Sequence, residues 1–316
     1  MQRIGGREPM RGELGDLYDA IEQPRRIRGE LPILGADEVR PYLEEVRERT
    51  LEVLGQVDLE AGSDPLLAGG FVYEMILAHE HQHNETMLQL IQLIDGYEPA
   101  EPNLGPAVEL PDDGPEMVAV PGGPYEIGAG PLTEGFSYDN ERPRHRVEPA
   151  SFEIDRIPIT NADFMEFMQA TGAEPPLYWE RDGQGRWLNT AMGRRDPVDP
   201  RLPVIHVDFN QAEAFARWKG KRLPTEEEWE AAHDRLDGVG CAWEWTSSEL
   251  VGYPGFQAFP YPEYSEVFFD KGYRVLRGSS WATHSSVARS TFRNWDLPER
   301  GQIFSGIRCA RDASDT

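Results

Sequence analysis

Apolar residues in the first hundred positions of the chain recur at the spacing of an α-helix. Between Asp37 and Leu54 they fall on one stripe behind an acidic start, which predicts an amphipathic helix. A second set runs through residues 72–90 and is bounded by glycines on both sides. We therefore expect residues 1–97 to form a helical domain.

The pattern changes after this helical part. Prolines and glycines crowd residues 98–115 and are incompatible with a continuous helix or a central strand, so this stretch is predicted to be a linker. Residues 116–316 combine short strand-like runs with loops and carry all eight tryptophans. Two helices are predicted there, at 161–170 and 210–220. The expected fold class is α+β.

The second predicted helix carries three of the seven histidines of the chain. At 3.6 residues per turn, His79 and His83 lie one above the other, where two imidazoles can share a metal ion. Nitrogen donors of this kind suit zinc, iron, copper or nickel, and a third ligand must come from elsewhere. The side chain of His81 is turned by about 200° from that of His79, so we expect it to face solvent.

The same segment matches the pattern His-Glu-x-x-His of zinc proteases. In that interpretation His79 and His83 bind zinc and Glu80 is the general base. The pattern is short enough to arise by chance, so zinc hydrolysis is kept as a remote alternative.

Charge and hydropathy exclude several classes of function. The chain has 31 basic and 56 acidic residues and a net charge of -25, which argues against binding to nucleic acid. No apolar run approaches the ~20 residues that span a bilayer, and the first residues lack the apolar core of a signal peptide. We therefore expect a cytoplasmic protein without membrane partners. The two cysteines, Cys241 and Cys309, are expected to be unpaired core thiols.

Six motifs in the second half resemble, in order, the formylglycine-generating-enzyme/sulfatase-modifying-factor domain, which has a C-type-lectin-like fold. They are VPGGPYEIG at 120–128, DNERPRH at 139–145, PITN at 158–161, RLPTEEEWE at 222–230, WEWTSS at 243–248 and RGSSW at 277–281. Their glycines suit tight turns, and their tryptophans and Arg/Glu positions suit packing and internal salt links. Formylglycine generation is not expected, because that chemistry needs a reactive cysteine pair.

Joined to the histidine-bearing helix, this domain resembles the hercynine oxygenase family, the non-haem iron sulfoxide synthases of ergothioneine biosynthesis, in the actinobacterial form that uses γ-glutamylcysteine. The resemblance runs from GGREPMR at 5–11 to FRNWDLPERGQIFSG at 292–306. It implies a DinB-like four-helix bundle ahead of the lectin-like domain. It also implies Fe(II) as the cofactor, O2 as a co-substrate, and hercynine and γ-glutamylcysteine as the substrates.

The resemblance also implies roles for single residues. His79 and His83 fall on the two helix-borne iron ligands. The residues on the hercynine side are Gln82, Asn294 and Trp295. Tyr261 and Tyr264 match a pair of active-site tyrosines, of which we assign Tyr261 as the proton donor that directs the reaction toward C–S bond formation rather than thiol oxidation. A phenol suits this role because it is neutral at pH 7.

The resemblance also implies a pair of charged residues that binds the thiol substrate. Asp296 and Arg300 match the residues that hold the amino and carboxylate ends of γ-glutamylcysteine. A fixed carboxylate and a guanidinium fork suit a zwitterionic end group. An arginine early in the family's chain also binds this substrate, and here both Arg25 and Arg28 are candidates.

Two departures from the family bear on activity. The family's first iron ligand is a histidine upstream of the GGREPMR segment, and Met1 stands only four residues before Gly5. We therefore expect an N-terminally truncated chain with an incomplete bundle and without that ligand. The region between Glu230 and Trp243 is also shorter than in other members of that family. A catalytically inactive paralogue that acts as a binding or scaffold protein is therefore the alternative to the oxygenase.

Overall fold

The computed structural model describes residues 2–15, 17, 23, 27, 30–59, 64–94, 96–97, 110–111 and 116–313. The chain divides into two compact units, Met1–Val72 and Tyr73–Thr316. Most of the predicted linker falls on residues that are not described, so its boundaries stay predictions. Arg25 and Arg28 also lie outside the described residues.

The described residues form six α-helices and twelve β-strands, which confirms the α+β class. The helices are α1 (Gln2–Gly5), α2 (Ala36–Leu54), α3 (Phe71–Ile91), α4 (Asn161–Thr171), α5 (Phe209–Trp218) and α6 (Glu226–Ala232). The strands are β1 (Met117–Val120), β2 (Tyr125–Ile127), β3 (His145–Val147), β4 (Phe152–Asp155), β5 (Trp179–Arg181), β6 (Trp187–Asn189), β7 (Asp196–Pro197), β8 (Trp243–Glu249), β9 (Arg274–Arg277), β10 (Asn294–Asp296), β11 (Ser305–Gly306) and β12 (Ala310–Asp312). Within the described part of the chain, each helix is too short or too polar to cross a membrane.

The first unit contains α1 and α2. Gly5 lies so close to Val53 that a Cβ atom at this glycine would stand 2.7 Å from a Val53 methyl carbon, so a larger residue would force the two helices apart. Val53 is buried, as the predicted stripe of α2 requires, whereas Leu43 and Leu51 are exposed. Val39, Val46 and Leu54 are partly buried, so the apolar stripe of α2 is only partly covered within the described residues.

The second unit is built around a four-stranded sheet. Its strand order is β10-β9-β8-β11, with β11 parallel to β8 and the other pairs antiparallel. The unit also has three smaller sheets, β1-β4-β12, β2-β3 and β5-β6-β7. Most of these strands have only two to four residues, which is the loop-rich architecture expected from the sequence.

Side-chain caps start three of the helices in this unit, α4, α5 and α6. Thr160, Asp208 and Thr225 each accept a hydrogen bond from the backbone N–H three residues later, which satisfies a donor at the helix end. The two helices predicted here are α4 and α5, with ends shifted by one or two residues. Sequence analysis missed α6, although Thr225 and Glu228 form a capping box.

The core of the second unit contains charged pairs as well as aromatic rings. Three arginines whose side chains are fully buried each pair with a glutamate whose side chain is at most 9% exposed. The pairs are Arg277 with Glu230, Arg293 with Glu226 at 2.8 Å, and Arg308 with Glu244 at 2.7 Å. The internal salt links predicted from the motifs are therefore confirmed.

The two cysteines are buried and unpaired, as expected. Burial raises the pKa of the Cys241 thiol to about 11 and raises that of Cys309 as well. Both side chains are therefore neutral thiols at physiological pH and behave as small apolar core residues.

Candidate active site

Residues 73–91 of helix α3 belong to the second unit, and one face of the helix packs against the rest of that unit. Ala78 belongs to the main hydrophobic core of that unit, and Met75 packs against the same core. Glu85 is also buried, and its spacing from Ala78 places both on the inward side. Ile76 and Leu90, which the sequence pattern grouped with the apolar stripe, are exposed. A mixed polar and apolar face therefore holds α3 in place.

Glu85 anchors this helix. It is 6% exposed and accepts hydrogen bonds from Trp243 Nε1 at 2.7 Å, Ser280 Oγ at 2.8 Å and Thr283 Oγ1 at 2.7 Å. Burial raises the pKa of its carboxyl group, and the three hydrogen bonds oppose this rise. A buried carboxylate held by three neutral donors therefore ties α3 to β8 and to the loop after β9.

We expect Glu85→Ala to lower the free energy of unfolding by about 2 to 4 kcal/mol, because it leaves an indole N–H and two hydroxyl groups buried without their acceptor. Urea denaturation measures the change. Asn84→Ala is the matched control, since Asn84 is its exposed neighbour on the same helix, and its cost should stay below about 1 kcal/mol. Equal losses in the two variants would mean that the three hydrogen bonds do not anchor the helix.

His79 and His83 lie beside each other on α3, as the helical spacing predicts. Their ring centroids are 4.5 Å apart and the rings meet edge to face. Burial, and then the nearby charge of His83, lower the pKa of His79, which favours the neutral imidazole that binds metals. Within the described residues, no third histidine, cysteine, aspartate or glutamate joins them as a metal-binding group.

His81 does not face solvent, so this expectation was wrong. Its ring is half-buried and stacks on His284, with centroids 3.6 Å apart and planes 3° from parallel. His81 lies one helical turn before Glu85, on the side of α3 that faces the rest of the second unit. The helix has partners on more than one side, and a single sequence pattern does not show which faces a tertiary fold will cover.

Gln82 lies at the centre of a chain of neutral hydrogen-bonding groups. The Tyr138 hydroxyl donates to Gln82 Oε1 at 3.2 Å, and Gln82 Nε2 donates to the Tyr264 hydroxyl at 3.1 Å. Burial raises the pKa of both tyrosines, so both phenols stay protonated at physiological pH. A side-chain hydrogen bond also links the Tyr264 and Tyr138 phenols.

Aromatic rings enclose these groups. The Tyr138 and Tyr264 rings stack at 4.1 Å, and Trp295 meets Tyr264 edge to face at 5.7 Å. Sequence analysis missed Tyr138, although it directly precedes the DNERPRH motif. The structure therefore brings Gln82, Tyr264 and Trp295 together from three distant parts of the chain.

Two other predicted residues lie next to this group. Asn294 precedes Trp295 in β10, and its side-chain oxygen accepts a hydrogen bond from the Trp295 backbone at 3.0 Å. Tyr261 is half-buried, and burial together with the carboxylates of Asp139 and Glu263 raises its pKa. Its phenol is therefore also protonated near pH 7.

Asp296 and Arg300 form an ion pair with each other. Asp296 ends β10, Arg300 follows a short turn, and the distance from Arg300 Nε to Asp296 Oδ2 is 3.8 Å. Asp296 also accepts a hydrogen bond from the backbone of Leu297 at 2.8 Å. Arg300 Nε is buried and has no hydrogen-bond partner among the described residues. The predicted clamp thus consists of one carboxylate and one guanidinium side by side.

The second unit matches a known domain family. Residues 105–235 and 233–313 match the Sulfatase-modifying factor enzyme 1-like domain. A formylglycine-generating enzyme from Streptomyces coelicolor is 36% identical over 174 residues, which cover 46% of this chain and 54% of that protein. Among solved structures, PvdO from Pseudomonas aeruginosa is similar over 63% of this chain and 95% of its own, with a TM-score of 0.48 and 23% identity.

Two hercynine oxygenases are similar to almost the whole chain. The enzyme from Mycolicibacterium smegmatis is 37% identical over 369 aligned residues, covering 95% of this chain and 84% of that protein. The enzyme from Mycobacterium tuberculosis is 35% identical, covering 94% and 83%. The chain therefore belongs to the hercynine oxygenase family and is an oxidoreductase of the oxygenase type.

Proposed function

We propose that the protein joins hercynine to γ-glutamylcysteine through a C–S bond, using Fe(II) and O2, and releases the sulfoxide conjugate as a step of ergothioneine biosynthesis. The observation that carries this proposal is the position of His79 and His83 on either side of Gln82, which binds two protonated tyrosines. The new bond replaces one C–H and one S–H bond. One oxygen atom ends on sulfur and the other in water, which balances the reaction.

The donor set of the histidine pair supports an iron site in part. Neutral imidazoles are common iron ligands, and two of them leave several coordination positions open. All seven histidines are among the described residues, and no third one joins the pair. When bound, the ferrous ion supplies the redox chemistry that brings a thiolate and dioxygen to reaction at one centre. We expect this 316-residue chain to bind Fe(II) weakly.

The groups around Gln82 suit a histidine-derived substrate. The hydroxyl of Tyr264 and the amide of Asn294 can hold a neutral imidazole ring by hydrogen bonds. The trimethylammonium group of hercynine is a cation without N–H donors, and the faces of Trp295 and Tyr264 attract such a group. We assign these residues to hercynine binding and orientation.

Tyr261 is proposed as the proton donor, and Tyr261→Phe tests this role. The variant should shift the products from the sulfoxide conjugate toward oxidised thiol, while hercynine binding changes little, because only a hydroxyl group is removed. Mass spectrometry of both products gives the ratio. Tyr264→Phe is the comparison, since loss of its bond to Gln82 should weaken hercynine binding. An unchanged product ratio in Tyr261→Phe would assign the proton to another group.

Asp296 and Arg300 are proposed to bind the γ-glutamyl end of the thiol. We expect Arg300→Ala to weaken the binding of γ-glutamylcysteine roughly ten to a hundred fold, because a charge-assisted hydrogen bond to its carboxylate is lost. Hercynine binding should stay nearly unchanged. Binding titrations of each substrate measure the two affinities. Arg195→Ala, at an exposed arginine, is the control. Equal losses for both substrates would contradict this division of roles.

The proposed reaction is tested by anaerobic reconstitution with iron, followed by addition of both substrates and O2. The expected result is a sulfoxide product whose amount follows the iron content. The incomplete set of ligands favours one second candidate, an inactive binding protein. In that case the iron-loaded protein would bind hercynine without turnover. Retention of zinc with hydrolytic activity would instead support the His-Glu-x-x-His interpretation.

A further inference from the structure

Tyr261 and Tyr264 lie in a long connection that runs from residue 250 to residue 273, between the end of β8 and the start of β9. All of these residues are described, and the regular structure among them consists of short 3₁₀ helices. Side chains on such a segment keep a fixed position only where the rest of the fold tethers the segment. Pro262 and Glu263, between the two tyrosines, are exposed, so a tether has to act from the buried side.

The carboxylate of Asp139 supplies such a tether. Asp139 is 1% exposed. Its Oδ2 atom accepts a hydrogen bond at 3.1 Å from Phe259 N, two residues before Tyr261. Its Oδ1 atom accepts one at 2.8 Å from the hydroxyl of Ser265, a buried residue that directly follows Tyr264. The two hydrogen bonds therefore bracket both tyrosines.

The turn that carries Asp139 is fixed to another part of the candidate site. Glu141 is fully buried and accepts a hydrogen bond from Thr291 Oγ1 at 2.6 Å. The guanidinium of Arg293 donates to the backbone oxygen of Asn140 at 2.8 Å. Both donors lie just ahead of β10, the strand that carries three of the predicted site residues. The turn therefore connects the tyrosine segment to this strand.

The charge of Asp139 acts on one of the tyrosines as well. Burial raises the pKa of Tyr261, and the carboxylates of Asp139 and Glu263 raise it further. A carboxylate close to a phenol disfavours the phenolate, because two negative charges would then lie near each other. Asp139 therefore supports the protonated state that a proton donor needs.

We propose that Asp139 is a positioning residue, whose two hydrogen bonds hold Tyr261 and Tyr264 at fixed places in the candidate active site. A displacement of about 1 Å can cost a reaction a factor of about 100 in rate, so a tether of this kind affects the products as well as the stability of the loop. The effect on the products rests on the proposed function, in which Tyr261 donates the proton. The tether itself does not.

Asp139→Ala tests the proposal in two measurements. Hydrogen exchange at Phe259 N–H should become roughly ten to a hundred fold faster, because a hydrogen bond to a charged group is lost. After reconstitution with iron, the ratio of sulfoxide conjugate to oxidised thiol should fall by at least about tenfold. The affinity for γ-glutamylcysteine, assigned to Asp296 and Arg300, should stay nearly unchanged. A purely structural residue would lower the unfolding midpoint without changing the product ratio.

Three further variants separate the tether from general damage to the fold. Ser265→Ala removes one of the two hydrogen bonds and should lower the product ratio by less than Asp139→Ala does. The double variant should be no worse than Asp139→Ala, because the two side chains act through the same contact. Asp139→Asn keeps an acceptor for Phe259 N–H and can donate to Ser265 Oγ, so it should restore most of both measured values.

Asp155→Ala is the matched control. Asp155 is 4% exposed, lies in β4 and pairs with Lys221 at 2.6 Å. Its loss should lower the unfolding midpoint but leave exchange at Phe259 and the product ratio unchanged. Circular dichroism checks the fold of each variant, and Ser265→Ala carries the same comparisons if Asp139→Ala does not fold.

The outcomes separate this inference from the proposed function. Unchanged hydrogen exchange at Phe259, or an unchanged product ratio in Asp139→Ala, would overturn the positioning role. Absence of the sulfoxide from the wild type would instead overturn the proposed function. In that case hydrogen exchange alone would still decide whether Asp139 tethers the tyrosine segment.

Discussion

Replacement of either His79 or His83 by alanine is expected to abolish sulfoxide formation and to reduce Fe(II) affinity by well over a hundredfold. Even changes to groups that only orient a ligand cost about ten to a hundred fold in metal affinity, and here one of two imidazoles would be removed. Iron content after anaerobic reconstitution and turnover with both substrates give the two measurements.

His81→Ala is the matched control for this experiment. His81 lies on the same helix between the two proposed ligands, but its ring stacks on His284. The variant should keep its iron affinity and lose only the stability that the stacked pair contributes. If His81→Ala lost iron as completely as His79→Ala, the ligand assignment along α3 would be wrong.

Arg308→Ala is expected to have the largest effect on stability, a loss of more than about 4 kcal/mol in the free energy of unfolding. The Arg308 side chain is fully buried, and its Nε and Nη2 atoms each donate at 2.7 Å to the Glu244 carboxylate. It also donates to the backbone carbonyls of Asp155, Arg156 and Asp237. Its removal leaves a buried carboxylate without its cation.

Two further variants test whether the geometry and the burial of this arginine cause the loss of stability. Arg308→Lys keeps the charge but cannot reproduce the planar fork, so its unfolding midpoint should fall between those of the wild type and Arg308→Ala. Arg311→Ala removes an exposed arginine that pairs with Glu153 at the surface, and it should leave the midpoint almost unchanged. Similar losses for Arg308→Ala and Arg311→Ala would show that burial does not determine the effect. Urea denaturation measures all three.

Much of the fold could be predicted from the sequence because its helices have local signals. The periodic apolar residues of α2 and α3 and the capping residues of α4 and α5 act over a few neighbouring positions. The strands were harder to find, because segments of two to four residues are too short to show a clear alternation. Of the three buried arginines, only Arg277 lies in one of the six motifs. Arg293 and Arg308 were not predicted, since a hydrophobic pattern assigns charged residues to the surface.

Only those contacts of the candidate site that join residues close in the sequence could be predicted. The proximity of His79 and His83 follows from helical spacing. Glu85, in contrast, meets Trp243 158 positions later and Ser280 195 positions later, and Tyr138 meets Gln82 from 56 positions away. Such pairings depend on the tertiary fold, so a single sequence carries no direct signal for them.

The anchoring of α3 by Glu85 has a consequence for how this protein can change. Residues 73–316 alone fix where the histidine pair stands relative to Tyr264, because Glu85, Gln82 and their partners all belong to the second unit. Insertions or exchanges among the first 70 residues leave this spacing untouched. The spacing between the histidine pair and Tyr264 can therefore be kept while the sequence of the first unit changes.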